Sequence, residues 1–203
     1  MKPFRQLTAL ACPFRLENVD TDQLIPARFM KRPRSAGYGD VALYDLRFDE
    51  AGAARSDFIL NEPRWQGCEI LIAGRNFGGG SSREAAVYAL VDLGIRAVIA
   101  PSIGDIFSSN SVNNGLLPIR LPAEACETLC HELEAGSAQL SIDLEAQTVS
   151  AGALAYNFEI DPVWRLKLLN GWDDIALTES YRDQIEAFAA GYHAASPWTL
   201  ARA

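Results

Sequence analysis

The sequence predicts an α/β domain built on a layer of parallel strands. Two observations carry this reading: short, largely apolar runs bounded by glycine or proline, and helical stretches that alternate with them. The first run is residues 69–73, Glu-Ile-Leu-Ile-Ala, followed by a glycine-rich loop over 74–80. Residues 84–93 have the composition of a helix, and Gly94 supplies its stop. Residues 96–100 form the next strand, closed by Pro101; residues 104–110 open another helix, and 116–121 another strand. Residues 123–135 read as an amphipathic helix. Beyond it, residues 139–144 alternate, Gly152 interrupts, and 155–160 alternate again, which predicts a hairpin. Asp161-Pro162 then begins a helix with proline in its first turn. A last helix is expected over 181–192, with a loose end over 196–203. Residues 1–203 are expected to form a single domain. Ahead of residue 69 the pattern shows two long loops and no strand. One of them, 18–38, carries Pro26, Pro33 and Gly37, and loops of that length are often functional.

Composition narrows the function. The chain has 203 residues, 49% of them apolar, enough for a real core, and a net charge of −8. A phosphate backbone calls for a basic surface, so nucleic acid is not an expected partner. No apolar run approaches the ~20 residues of a membrane span, and residues 1–10 lack the apolar stretch of an export signal. The four cysteines, Cys12, Cys68, Cys126 and Cys130, are therefore expected as reduced thiols in the cytoplasm. Cys126 and Cys130 share a helix face, with His131 beside them, and could offer two metal ligands. The plainer reading is two small buried side chains. His131 and His193 lie in helical stretches and read as ordinary surface or core residues. The chain has no CxxC pair, no HExxH, and no set of three or four cluster ligands, so no metal is expected on it.

The chemistry concentrates at Asn76-Phe-Gly-Gly-Gly-Ser-Ser-Arg-Glu84. Gly78, Gly79 and Gly80 allow a tight turn and a close approach to the backbone amides. Ser81 and Glu84 fit a capping box, in which both residues merely satisfy helix-end N–H groups. The same geometry also makes an anion site, because the helix N-terminus points free N–H groups and the positive end of its dipole outward. Arg83 in the first turn is poorly placed for the helix dipole, whereas its planar fork suits a carboxylate. The segment is not a P-loop, which needs G-K-[ST], nor a nucleophile elbow, which needs G-x-S-x-G.

This loop resembles the signature loop of the swivelling domain in the aconitase superfamily. Three further segments, Asn18-Val-Asp-Thr-Asp-Gln-Leu-Ile-Pro26, Ala100-Pro-Ser-Ile-Gly-Asp-Ile-Phe107 and Asn113-Asn-Gly-Leu-Leu-Pro-Ile119, resemble small subunits of 3-isopropylmalate dehydratase, and Asp143-Leu-Glu-Ala-Gln-Thr-Val149 extends the match. The resemblance covers nearly the whole chain in order. It implies a swivelling β/β/α domain that works with a large subunit carrying a 4Fe–4S cluster, on a small dicarboxylate substrate held between the two. The implied reaction is a reversible dehydration that converts 2-isopropylmalate to 3-isopropylmalate in leucine biosynthesis. By the same resemblance Ser81 abstracts a proton, Ser82 and Arg83 bind a substrate carboxylate, and Asp20, Thr21, Asp22, Asn76, Gly78, Gly79 and Gly80 shape the pocket. The acidic segment at Asp20–Asp22 reads equally well as an Asx-type turn.

The chain departs from the family pattern at Gly79, where cysteine is usual, at Ala85, where histidine is usual, and at Ser35, where a substrate-binding arginine is usual. Arg34, one place earlier, is the expected replacement, with Arg28 and Arg32 behind it. These departures surround the substrate, so the alternative is a paralogous hydro-lyase for another 2-hydroxy diacid of the citraconate or dimethylmaleate type. Two non-catalytic readings are a regulatory subunit without activity and a stand-alone anion-binding protein.

Overall fold

The computed structural model describes residues 1–136 and 138–199. Among these, seven strands form one sheet: β1 (Gln6–Cys12), β2 (Ile70–Ile72), β3 (Ala97–Ala100), β4 (Leu117–Arg120), β5 (Gln139–Asp143), β6 (Thr148–Ala151) and β7 (Leu154–Asn157), in the order β4-β3-β2-β1-β5-β6-β7. β1 to β4 run parallel, and β1, β5, β6 and β7 pair antiparallel. The helices are α1 (Thr21–Leu24), α2 (Tyr44–Arg47), α3 (Glu84–Leu93), α4 (Asp105–Asn113), α5 (Ala123–Ala135), α6 (Pro162–Asn170), α7 (Asp174–Glu179) and α8 (Arg182–Ala195). The architecture is the mixed α/β fold that the apolar runs predict.

The strands β2 and β3 are apolar at every position because both faces of this part of the sheet are covered. Leu71 and Val98 face a core shared with Val87 and Leu90 of α3 and with Leu24, Ile25 and Leu43 of the long N-terminal loop. Ile70, Ile72 and Ile99 face a second core with Leu129, Cys130 and Leu133 of α5 and with Leu140, Ile142 and Val149 of the antiparallel half. Cys126 and Cys130 are thus buried core residues.

The structure corrects the sequence reading in three places. β1 was not expected; its sequence, Gln-Leu-Thr-Ala-Leu-Ala-Cys, offers small residues where a buried strand usually shows large β-branched ones. The expected hairpin is a three-stranded meander. The short strand β6 was hidden in Thr148–Ala151, and β7 occupies Leu154–Asn157, earlier than the alternation over 155–160 implies. Gln147 and Gly152, both with φ 56°, close its two turns. The short α7 was also missed. At the C-terminus, Pro197–Thr199 makes a single 3-10 turn, and residues 200–203 of the expected loose end lie outside the described residues.

An ion pair between a buried lysine and an exposed aspartate joins the C-terminal helices to this frame. Lys167 of α6 is only 3% exposed. Its Nζ donates to Asp174 Oδ1 at 2.6 Å and to Asn113 Oδ1, and Asn113 Nδ2 donates to Asp174 Oδ2 at 3.0 Å. The ammonium beside it holds the Asp174 carboxyl below the usual carboxylate range. Stability from this group is therefore present above the unfolded pKa, near pH 4, and is lost as pH falls through the lowered folded value. Asp174 is itself well exposed, so solvent screens the pair. Asp174→Asn is expected to lower stability by about 1 kcal/mol at pH 7. Thermal melts taken down to pH 3 should show that difference shrinking; a gap that stays constant with pH would rule out the ionic origin.

Candidate active site

The loop after β2 is shaped by one buried aromatic ring and its glycines. Phe77 is fully buried and meets Phe107 and Phe14 edge to face, with ring centroids 5.6 and 6.4 Å apart. Its N–H donates to the Ser102 carbonyl at 3.1 Å, and its carbonyl accepts from the Gly104 N–H at 2.9 Å. Gly78 follows with φ 70°, and a Cβ there would lie 2.3 Å from Cγ of Phe107, so no side chain fits. Asn76 and Asn18 both take left-handed backbone conformations, which asparagine tolerates, and Asn76 Nδ2 donates to Asn18 Oδ1 at 3.0 Å.

The N-terminal motif lies against this loop as a short parallel strand would. The Gly78 N–H donates to the Val19 carbonyl at 2.7 Å, the Thr21 N–H to the Gly79 carbonyl at 3.0 Å, and the Ser81 N–H to Thr21 Oγ1 at 3.1 Å. Thr21 is buried, so its hydroxyl is a fixed support for the backbone at Ser81. Asp20 serves α1: its carboxylate accepts from the Gln23 N–H at 2.8 Å, and Gln23 Oε1 accepts from the Asp20 N–H at 3.0 Å. That reciprocal pair is a capping box.

The capping box expected at Ser81 and Glu84 does not form. α3 begins at Glu84 with Arg83 in the N-cap position and no side-chain cap, so Ser81 falls two residues too early to serve. Ser81 and Ser82 are both exposed, and among the described residues neither hydroxyl takes part in a hydrogen bond. Arg83 is half-buried, and its Nη1 pairs with the Asp22 carboxylate. Glu84 accepts a hydrogen bond from Asn114 Nδ2 at 2.9 Å. No local signal in the sequence marks Asn114 for this contact, because its partner lies 30 residues away. The structure thus brings Asp20, Thr21, Asp22, Asn76, Gly78, Gly79, Gly80, Ser81, Ser82 and Arg83 together at one edge of the molecule.

Arg34 is placed differently. Its guanidinium forks onto Asp92 at 2.7 and 2.9 Å and lies 4.5 Å above the Tyr88 ring. Asp92 also accepts the Tyr38 N–H at 2.8 Å. Asp92 stands eight residues beyond Glu84, about 12 Å of helical rise, so Arg34 binds the flank and far end of α3 and not the end that carries Arg83. Arg28 pairs with Asp45, and Arg32 with Asp40 at 2.7 Å. Gly79 has little spare room, since a Cβ there would stand 3.1 Å from Asn76 Oδ1. Ala85 packs half-buried against the α3 core.

The Cys126 and Cys130 pair does not have the character of a metal-ligand pair. Burial pushes Cys126 up to about 11 and Cys130 up to about 12, so both stay protonated at neutral pH. Cys12 is raised by its hydrogen bond to the Cys68 sulfur and by burial. Among the described residues, no group of three or more His, Cys, Asp or Glu side chains is placed to hold a metal ion. His131 sits on the α5 surface, 3.1 Å from Glu127 and 3.7 Å from Glu134. A cleft of about 270 Å³ lies between α5 and the ends of β2 and β3, but its arginines are already paired, Arg15 with Glu127 and Glu134 and Arg75 with Glu17.

Comparison with known proteins agrees with this geometry. A family model described as the aconitase C-terminal domain matches residues 1–124, and one named LeuD_N matches residues 127–162. A 3-isopropylmalate dehydratase small subunit from Rhodospirillum centenum is 47% identical over 98% of this chain and all of its own length. The small subunit of the same name from Bacillus subtilis is 45% identical over 93% of this chain and 95% of its own. A crystal structure of a 3-isopropylmalate dehydratase from Methanocaldococcus jannaschii superposes with a TM-score of 0.64 at 26% identity, covering 91% of this chain and 99% of that one. With its glycine-shaped loop, its fold and its near full-length relatives in agreement, the chain belongs to the aconitase-type family of 3-isopropylmalate dehydratase small subunits.

Proposed function

We propose that this chain is the small subunit of a hydro-lyase that interconverts 2-isopropylmalate and 3-isopropylmalate by removing and re-adding water, in the cytoplasm and within leucine biosynthesis. The observation that carries the reading is the exposed Ser81-Ser82 pair with the half-buried Arg83 at the N-terminus of α3, held by the Asn18–Asp22 segment, in a chain 45–47% identical to small subunits of that enzyme. In this reading Ser81 Oγ takes the proton from the carbon next to a substrate carboxylate. A serine is a weak base unless its alkoxide is stabilised; the uncapped N–H groups of α3 and the Arg83 charge supply that stabilisation. Ser82 and Arg83 bind the carboxylate. Asp22 engages Arg83 through Nη1 only, and a guanidinium carries donors on three nitrogens, so the fork can serve a second acid. The residues of this chain do not suit a 4Fe–4S cluster, which we assign to a large subunit. Bound there, the cluster supplies a Lewis acid for the leaving hydroxyl. The large subunit also covers the exposed serines and excludes water from them.

The replacement of the usual arginine by Ser35, with Arg34 tied to Asp92, favours one second reading: a paralogous hydro-lyase for a smaller or differently branched 2-hydroxy diacid. Co-expression with the large subunit and anaerobic assay on 2-isopropylmalate beside citraconate- and dimethylmaleate-type substrates separates the two. Turnover confined to the latter would displace the first reading, and the lone chain should turn over none of them.

Three outcomes are expected. Anaerobic reconstitution of this chain alone should incorporate no stoichiometric iron and sulfide; a visible cluster spectrum would refute the division of labour. In the complex, Ser81→Ala should lower kcat by about 10²–10⁴-fold with the melting temperature unchanged, since Ser81 caps nothing. Retained turnover would remove it from the chemistry. Arg83→Lys keeps the charge but not the fork, and should lower kcat/KM by about tenfold to a few hundredfold. Full kcat/KM in that variant would mean that Arg83 does not grip substrate.

A further inference from the structure

The loop that bears Ser81 and Arg83 is held along one side by the Val19–Thr21 segment. Its other side rests on α4, and the two meet at both ends of that helix. At the N-terminal end, the Phe77 and Phe107 rings pack edge to face, and Gly104 comes so close that a Cβ on it would stand 2.7 Å from the Gly78 carbonyl oxygen. At the C-terminal end, Asn114 closes the helix: its N–H donates to the Ser111 and Val112 carbonyls. Its Nδ2 group donates in two directions, to the Asn110 carbonyl and to Glu84 Oε1, both at 2.9 Å. Glu84 directly follows Arg83 and is the first residue of α3. The neighbouring Asn113 is not free to drift, because it is bonded to the buried Lys167 and to Asp174. The Asn113-Asn114 corner is therefore anchored to α6 and α7 on one side and to the start of α3 on the other.

We propose that Asn114 is a positioning residue for the substrate-binding loop, acting through Glu84 to set the entry angle of α3 and with it the direction of Arg83 and Ser81. The inference rests on the reading of that loop as the substrate grip. The Asn114–Glu84 hydrogen bond is open to solvent, so its main effect is on geometry. The pairing also has a direction that can be reversed: an amide donates and a carboxylate accepts.

The test exchanges donor and acceptor in the full chain, co-purified with its large subunit. Asn114→Asp sets a carboxylate against Glu84. Adding Glu84→Gln restores a single amide-to-carboxylate hydrogen bond with the roles swapped. Amide hydrogen exchange over residues 76–84 and steady-state kinetics are measured on both. Asn114→Asp is expected to speed exchange of the loop amides by about five- to tenfold, the equivalent of one lost hydrogen bond. kcat/KM should fall by a similar factor, with the melting temperature little changed. The double variant should recover both to within about twofold. Unchanged exchange and kinetics in Asn114→Asp would overturn the proposal, as would a double variant no better than the single one. The exchange readout does not depend on which diacid is the substrate. A complex inactive on 2-isopropylmalate would therefore count against the proposed function while the exchange data still decide the role of Asn114.

Discussion

Strand β1 must satisfy two partners at once, and the continuity of the molecule depends on it. Its first five residues, Gln6 to Leu10, pair antiparallel with β5, and its last two, Ala11 and Cys12, pair parallel with β2. Ala9, Ala11 and Cys12 are small and buried. The chain leaving β1 passes directly into Phe14, which meets Phe77 and Phe58 edge to face, and then into the Asn18–Asp22 segment. The strand that joins the two halves of the sheet thus also delivers the second wall of the site.

The site itself is a backbone construction before it is a side-chain one. Three hydrogen bonds from Gly78, Thr21 and Ser81, at 2.7 to 3.1 Å, lace two stretches that lie about 60 residues apart in sequence. Glycine at 78 is demanded by the Phe107 ring and by a positive φ. Once the backbone is set, Ser81 and Ser82 have little choice but to face outward at the start of α3. If Ser81 acts as proposed, a backbone fixed in this way would hold it in place before substrate arrives.

Charge explains why the edge suits a partner-dependent reaction. The chain carries a net charge of −8, and the arginines near the loop are matched with carboxylates: Arg83 with Asp22, Arg34 with Asp92, Arg32 with Asp40, Arg28 with Asp45. On the proposed reading, an anionic diacid would meet a nearly neutralised edge, where solvent-screened ion pairs are individually weak. In the proposed role, excluding water would strengthen the grip of Arg83 on a carboxylate, and that would require a covering surface.

Local signals in the sequence determined what depends on neighbours along the chain. The helices at Glu84–Leu93 and Ala123–Ala135 were legible to the residue, because a glycine stop and a 3.6-residue apolar period are local features. The apolar runs of β2 and β3 were legible because burial on both faces leaves no polar position, and β4 differs only in its exposed last residue, Arg120. The glycines marked where the loop would turn. Tertiary structure alone decided what depends on residues far apart. β1 is a strand because β2 and β5 flank it, not because of its small side chains. The capping box belongs to Asp20 and Gln23 and not to Ser81 and Glu84, because Arg83 occupies the N-cap of α3. Arg34 was read toward substrate, yet Asp92, 58 residues away, claims its fork. Asn114 reaches Glu84 across 30 residues and Lys167 reaches Asn113 across 54. A side chain with several hydrogen-bonding choices takes the partner that the packed core delivers to it, and only the fold decides which partner that is.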